Sequence, residues 1–140
     1  MKKIALTIVL AGILAACNSG KSADSNDKGA QVEIDSSKFT TIKFEEAKYD
    51  FGKVAAGEVV EHSYKFTNTG QFPLIITSAT ASCGCTVPSK PDKPIQPGET
   101  GEIMVKFNSE GRKGLQEKNI TIVANTNPNI TELRLFGEVQ

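Results

Sequence analysis

From Thr40 to the C-terminus, apolar side chains recur at every second residue, and no segment there sustains the i, i+3, i+4 spacing of a helix. Paired strands are then the way this chain buries its apolar surface. "TTIKF" puts Ile42 and Phe44 on one side, and "VVEHSYKFT" groups Val60, His62, Tyr64 and Phe66 opposite Glu61, Ser63, Lys65 and Thr67. "PLIIT", "GEIMVKFN", "KNITIVA" and "TELRLFG" repeat the period and offer Leu74, Ile76, Ile103, Val105, Phe107, Ile120, Ile122, Leu133 and Leu135 to the core. One dry face and one wet face is the pattern of antiparallel sheets.

The gaps between these runs hold residues that turn a backbone at low steric cost. Gly57 ends "KVAAG", "NTG" at 68–70 supplies Asn and Gly, Pro97-Gly98 suits a type II turn, and "NTNPN" at 125–129 suits a loop between the last two strands. About seven short strands in roughly 100 residues predict an all-β, immunoglobulin-like β-sandwich of antiparallel strands. The antibody form is excluded, because it needs distant cysteines on facing sheets and a tryptophan against their bridge, whereas Cys83 and Cys85 are near neighbours and the chain has no Trp.

The N-terminus has another texture. Lys2 and Lys3, the apolar run "IALTIVLAGIL" and then "LAAC" read as an export signal, too short and wrongly flanked for a permanent membrane span. Leu14-Ala15-Ala16-Cys17 resembles a bacterial lipobox, which implies cleavage between Ala16 and Cys17 and a diacylglycerol on the Cys17 sulfur. An ordinary secretory signal with a nearby cysteine is the plainer alternative. Residues 1–16 are thus read as a signal peptide, 17–37 as a lipidated, flexible linker, and 38–140 as the folded domain. "NSGKSADSNDKGAQVEIDSS" has too few aliphatic residues to offset its ordering entropy, and as a flexible coil it reaches about 25 Å. The alternation in "QVEID" leaves open a pairing of that piece with the domain as an edge strand.

Without the signal, 14 basic side chains (16 less Lys2 and Lys3) face 16 acidic ones. So balanced a chain has no electrostatic footprint for nucleic acid or for anionic lipid headgroups. Beyond the cytoplasm thiols tend to oxidise, and with Cys17 lipidated only Cys83 and Cys85 remain to pair.

"DFGKVAAGE", "YKFTNTGQFPLIIT", "SCGCTVP", "PIQPGETGEIMVKFNSEGRKG" and "LRLFGEV" follow one another in an order that resembles the bacterial family called domain of unknown function 1573, common among envelope lipoproteins. The resemblance runs from about Phe44 to Val139. It implies an Ig-like sandwich related to the pili-chaperone and major-sperm-protein groups, and it brings no established activity and no catalytic residues.

Cys83-Gly84-Cys85 admits three readings. Gly84 permits φ values that bring the flanking Cβ atoms within bonding distance in a tight turn, so the first is a structural turn, bridged or not. The second is a thiol-redox couple, since a bridge across so small a ring is expected to be strained and strained disulfides are more oxidising. Against it, no helix follows the motif and the nearest basic residue in sequence is Lys90, so nothing local lowers a thiol pKa. The third is soft-metal handling, with Cys83, Cys85 and His62 as candidate ligands. Structural zinc wants four ligands, whereas copper(I) accepts two thiolates. His62, in phase with Val60, Tyr64 and Phe66, reads instead as a hydrogen-bonded core histidine. No metal and no cofactor are expected.

Other catalytic groupings are missing. One His and no Gly-x-Ser-x-Gly leave no basis for Ser-His-Asp chemistry. Glu45 and Glu46 read as solvated surface charge. The sequons at Asn119 and Asn129 are discounted in a chain of bacterial appearance. The expectation is a non-enzymatic, lipid-anchored envelope module that binds an envelope protein or an extended peptide. Thiol or copper handling at Cys83 and Cys85, and assembly by strand donation, are its alternatives. Asn18, rather than Asp, after the lipidated cysteine points to the outer membrane.

Overall fold

A computed structural model of the chain describes residues 38–140. The signal peptide, Ala16, Cys17, the linker and the "QVEID" piece lie outside the described residues. The described residues form eight strands: β1 (Ile42–Phe44), β2 (Lys48–Val54), β3 (Val59–Asn68), β4 (Ile76–Ala81), β5 (Thr86–Ser89), β6 (Thr100–Asn108), β7 (Gly114–Ala124) and β8 (Ile130–Val139). They make two four-stranded sheets, β1-β3-β6-β5 and β2-β8-β7-β4. The chain crosses between the sheets five times, and two of these crossings link edge strand to edge strand at opposite sides, β1 into β2 and β4 into β5.

The two stacked apolar faces are those the alternation predicts. Tyr64, Phe66, Ile103, Val105 and Phe107 from the first sheet are closed from solvent, as are Ile76, Ile120, Ile122, Leu133 and Leu135 from the second. Leu74 joins them, and Ile42, Phe44 and Val60 pack against their margin. Each such aliphatic or aromatic side chain contributes about 1.5–3 kcal/mol by leaving water, which makes this face the main source of stability.

Three details differ from the expectation. The described residues hold eight strands, not about seven, and among the pairs of these strands β2–β8 is parallel while the others are antiparallel. β2 hides in the sequence because a bulge between Asp50 and Lys53 breaks its alternation. There Gly52 takes a φ of 69° and gives its N–H to Asp50 Oδ1 at 2.8 Å. β5 hides because Pro88 interrupts a run of only four residues. "PLIIT" supplies only the start of its strand: Leu74 forms a single bridge with Ile95, and β4 begins at Ile76.

Gln96-Pro97-Gly98-Glu99 is a type II turn, with Gly98 at φ 81° and Glu99 N–H bonded to Gln96 O at 3.0 Å. Asn68, read from sequence as a turn residue, is instead a buried hub. Its Oδ1 accepts Thr40 Oγ1 at 2.7 Å and Gly70 N at 3.1 Å, while Nδ2 donates to Phe72 O at 2.8 Å and Ile95 O at 2.9 Å. Asn125 plays the same part at β4, accepting Ile75 N at 2.7 Å and donating to Pro73 O at 2.9 Å. Both satisfy backbone groups where the strands fail to.

Candidate functional site

Cys83-Gly84-Cys85 forms the corner by which the chain passes from β4 in one sheet to β5 in the other. Cys83 and Cys85 are joined as a disulfide, with Cα atoms 5.4 Å apart. Two backbone bonds hold the corner: Thr86 N donates to Cys83 O at 3.2 Å, and Asn108 N, at the end of β6, donates to Cys85 O at 2.9 Å. The buried Thr86 hydroxyl stands 3.7 Å from Cys83 Sγ and 3.9 Å from Cys85 Sγ. Because the bridge closes so short a loop, it removes little entropy from the unfolded chain. The double variant Cys83→Ser, Cys85→Ser is therefore expected to keep its β circular dichroism spectrum and a cooperative melt; loss of both would contradict this.

Lys118 is the residue that sequence reasoning missed. It occupies an inward position of β7, in line with Ile120 and Ile122, and only 9% of its surface is exposed. Its Nζ donates to Gln116 Oε1 at 3.2 Å and lies 5.5 Å from the centre of the Phe107 ring. Burial, and after it the charge of Arg112, lower its affinity for a proton. A lysine in an apolar row, with no carboxylate salt bridge among the described residues, costs stability that an aliphatic residue would not. The signal available in the sequence was the interruption of the alternating apolar row "K-I-I" by a charge.

On the outer side of the corner an open groove is lined by Val59, Cys85, Val87, Lys106, Asn108 and Glu110. Val59 and Val87 are more than half exposed, at 55% and 62%. Lys106 is engaged by Glu61 at 2.8 Å across the β3–β6 pair.

His62 lies at the other edge, where β1 crosses to β2. Tyr49 stacks on its ring at 3.6 Å with planes 8° apart, and Tyr64 meets it edge-on at 4.6 Å. Glu46 Oε1 is 2.9 Å from Nε2 but off the direction of an aligned hydrogen bond, so this buried nitrogen is not satisfied as the sequence reading expected. Glu46 is exposed on its other side, and Glu45 is exposed as expected, both following the end of β1 rather than lying in it. Tyr64 donates its hydroxyl to Arg134 O at 2.6 Å across the core, and burial, then Glu46 and Tyr49, push its phenol well above the usual range. The surroundings of His62 are thus a tyrosine cage and a carboxylate, and Cys83 and Cys85 belong to the corner on the opposite side of the sandwich. Among the described residues no group of three or more His, Cys, Asp and Glu side chains is placed to hold a metal ion.

The family model described as "Protein of unknown function (DUF1573)" matches residues 42–139, which include both sheets and the cysteine corner. The chain belongs to the DUF1573 family. Among solved structures, this DUF1573 domain is similar to a protein of unknown function from Porphyromonas gingivalis W83, with TM-score 0.64, 17% identity, and 76% of this chain and 50% of that chain covered. It thus spans half the length of that protein. It is also similar to an ASH / PapD-like domain of human CEP192, with TM-score 0.56, 12% identity, and 73% and 87% of the two chains covered. A third likeness, TM-score 0.51 at 12% identity, is to the secreted serine protease VesC from Vibrio cholerae, covering 72% of this chain and 23% of that one. No curated protein matches the chain. At these identities the likeness is one of fold alone: this DUF1573 domain is an Ig-like sandwich, as the PapD-like domain it resembles is, and its family model is described as one of unknown function.

Proposed function

We propose that this DUF1573 protein is a non-enzymatic, lipid-anchored module of the bacterial envelope that binds an extended segment of another envelope protein as an added strand along β4. The observation that carries this reading is the state of the four sheet edges. β1 has three residues, β2 is bulged at Gly52, and β5 carries Pro88, each a feature that discourages pairing. β4 has a regular ladder from Ser78 to Ala81 and neither proline nor charge. Ser82 N–H turns inward to Asn119 O at 3.0 Å, so by alternation the N–H groups of Ala79 and Ala81 turn away from β7. Such a row of main-chain groups gives affinity to an added strand.

Ala79→Pro removes one outward donor and leaves the bonds to β7. In chemical cross-linking of intact cells, the wild-type protein is expected to yield a discrete adduct that falls at least tenfold with Ala79→Pro while the melt changes little. Equal adducts from both proteins, or none from either, would overturn strand addition. Anchoring is tested separately: Cys17→Ser is expected to move the protein from the membrane to the soluble envelope fraction, and retention in the membrane would contradict the lipid anchor.

A further inference from the structure

Along the sequence no cation stands near Cys83-Gly84-Cys85, but strand pairing brings one up from β7. In the antiparallel β4–β7 ladder, Ala81 pairs with Ile120 and Ser82 N–H bonds Asn119 O. Carried one step past these last bonds, the same register sets Cys83 level with Lys118, and residues directly opposite in a ladder share a face. From the other sheet, Thr86 pairs with Phe107, and Asn108 N holds Cys85 O. The Phe107 ring that carries Lys118 Nζ therefore sits beneath the same corner.

From this juxtaposition we propose that Cys83–Cys85 is a reducible couple that exchanges with external thiols, Cys85 Sγ being attacked and Cys83 leaving as a thiolate held by Lys118 Nζ and the Thr86 hydroxyl. The proposal goes beyond the binding reading and stands without it. The direction of attack follows from the surroundings of each sulfur. Cys85 lines the open groove, where Glu110 disfavours a second negative charge and Lys106 is already paired with Glu61. Cys83 is outside the lining of that groove and, by the register carried on from Ala81–Ile120, level with the buried Lys118. A buried lysine without a carboxylate, costly in the resting fold, gains its counter-ion when the disulfide opens.

The chemistry balances with thiols as the co-reactant. A thiolate RS⁻ attacks Cys85 Sγ, the Cys83–Cys85 bond breaks, and the electron pair goes to Cys83 Sγ as R–S–S–Cys85 forms. A second thiolate attacks the R sulfur, releasing RSSR and a Cys85 thiolate, and both cysteines can then take up a proton. Two thiols are oxidised and one disulfide is reduced; an oxidising disulfide drives the reverse. A glutathione-type small thiol and an exposed protein cysteine share this chemistry.

The test uses the full chain. In Cys85→Ser, the pH dependence of iodoacetamide alkylation is expected to place the Cys83 thiol at least one unit below the free-cysteine value of about 8.5. In Cys83→Ser, Cys85 should titrate at or above that value. Lys118→Met is expected to raise Cys83 by about one unit and, in the otherwise unaltered chain, to shift the dithiol-to-disulfide ratio in a glutathione buffer about tenfold toward disulfide. Lys118→Arg should restore both, and cooperative melts show that each variant folds. A Cys83 thiol at the ordinary value, no response to Lys118→Met, or a disulfide that glutathione leaves intact while dithiothreitol opens it would overturn the proposal.

Discussion

Asn68→Ala is expected to lower the unfolding free energy by about 3–5 kcal/mol, with a parallel fall in the urea midpoint. The side chain is closed from solvent and uses its full capacity, accepting two bonds and donating two. Alanine removes these and leaves the buried Thr40 Oγ1 and the part-buried Gly70 N and Phe72 O without that partner, a fully buried unmet group costing about 1–3 kcal/mol. Ile95 O suffers less, since Leu74 N also donates to it at 2.8 Å. Asn68→Asp keeps the shape and the two acceptors but loses both donors, so it should fail as badly. Against a total stability of about 5–15 kcal/mol, either change brings such a domain near its threshold. A loss below about 1 kcal/mol would mean that water replaces the amide in this junction.

Phe107→Ala is the second large effect, expected at about 3–5 kcal/mol. Phe107 is closed from solvent on β6, its ring 5.7 Å from that of Phe51 on β2, with Lys118 Nζ above it. Removing the ring opens a cavity between the sheets and takes away the aromatic face against which the cation rests. Phe107→Leu separates the two terms: it keeps most of the apolar volume, so its cost should fall below about 1.5 kcal/mol, plus about 0.5–1 kcal/mol for the lost cation–π contact. Combining Phe107→Leu with Lys118→Met should recover that second part, since without the cation no such contact exists to lose. Equilibrium unfolding of the four proteins measures the coupling; strict additivity would show that Lys118 draws nothing from the ring.

Much of this fold is written locally. The step of two residues along "VVEHSYKFT" or "KNITIVA" tells which side chains turn inward, and Pro97-Gly98 tells where the backbone reverses, because both depend on bonds between near neighbours. β2 and β5 were hidden for equally local reasons, a bulge at Gly52 and a proline in a run of four. The same period gave no warning that Asn68 and Asn125 are buried hubs rather than turn residues. Their partners, among them Ile95 for one and Ile75 for the other, are brought to them only by assembly.

The sequence by itself determined the β architecture, the identity of the buried face, the family, and the turn-forming character of Cys83-Gly84-Cys85. Only the tertiary structure decided what that corner stands beside. A strand's side-chain alternation specifies a face but not the residue across from it, because the neighbour is chosen by register and by which sheet the chain crosses into. For the corner at Cys83 the register of β4 on β7, carried past Ala81–Ile120, brings up Lys118 from far along the chain, and the exchange proposed for these sulfurs rests on that pairing between remote strands.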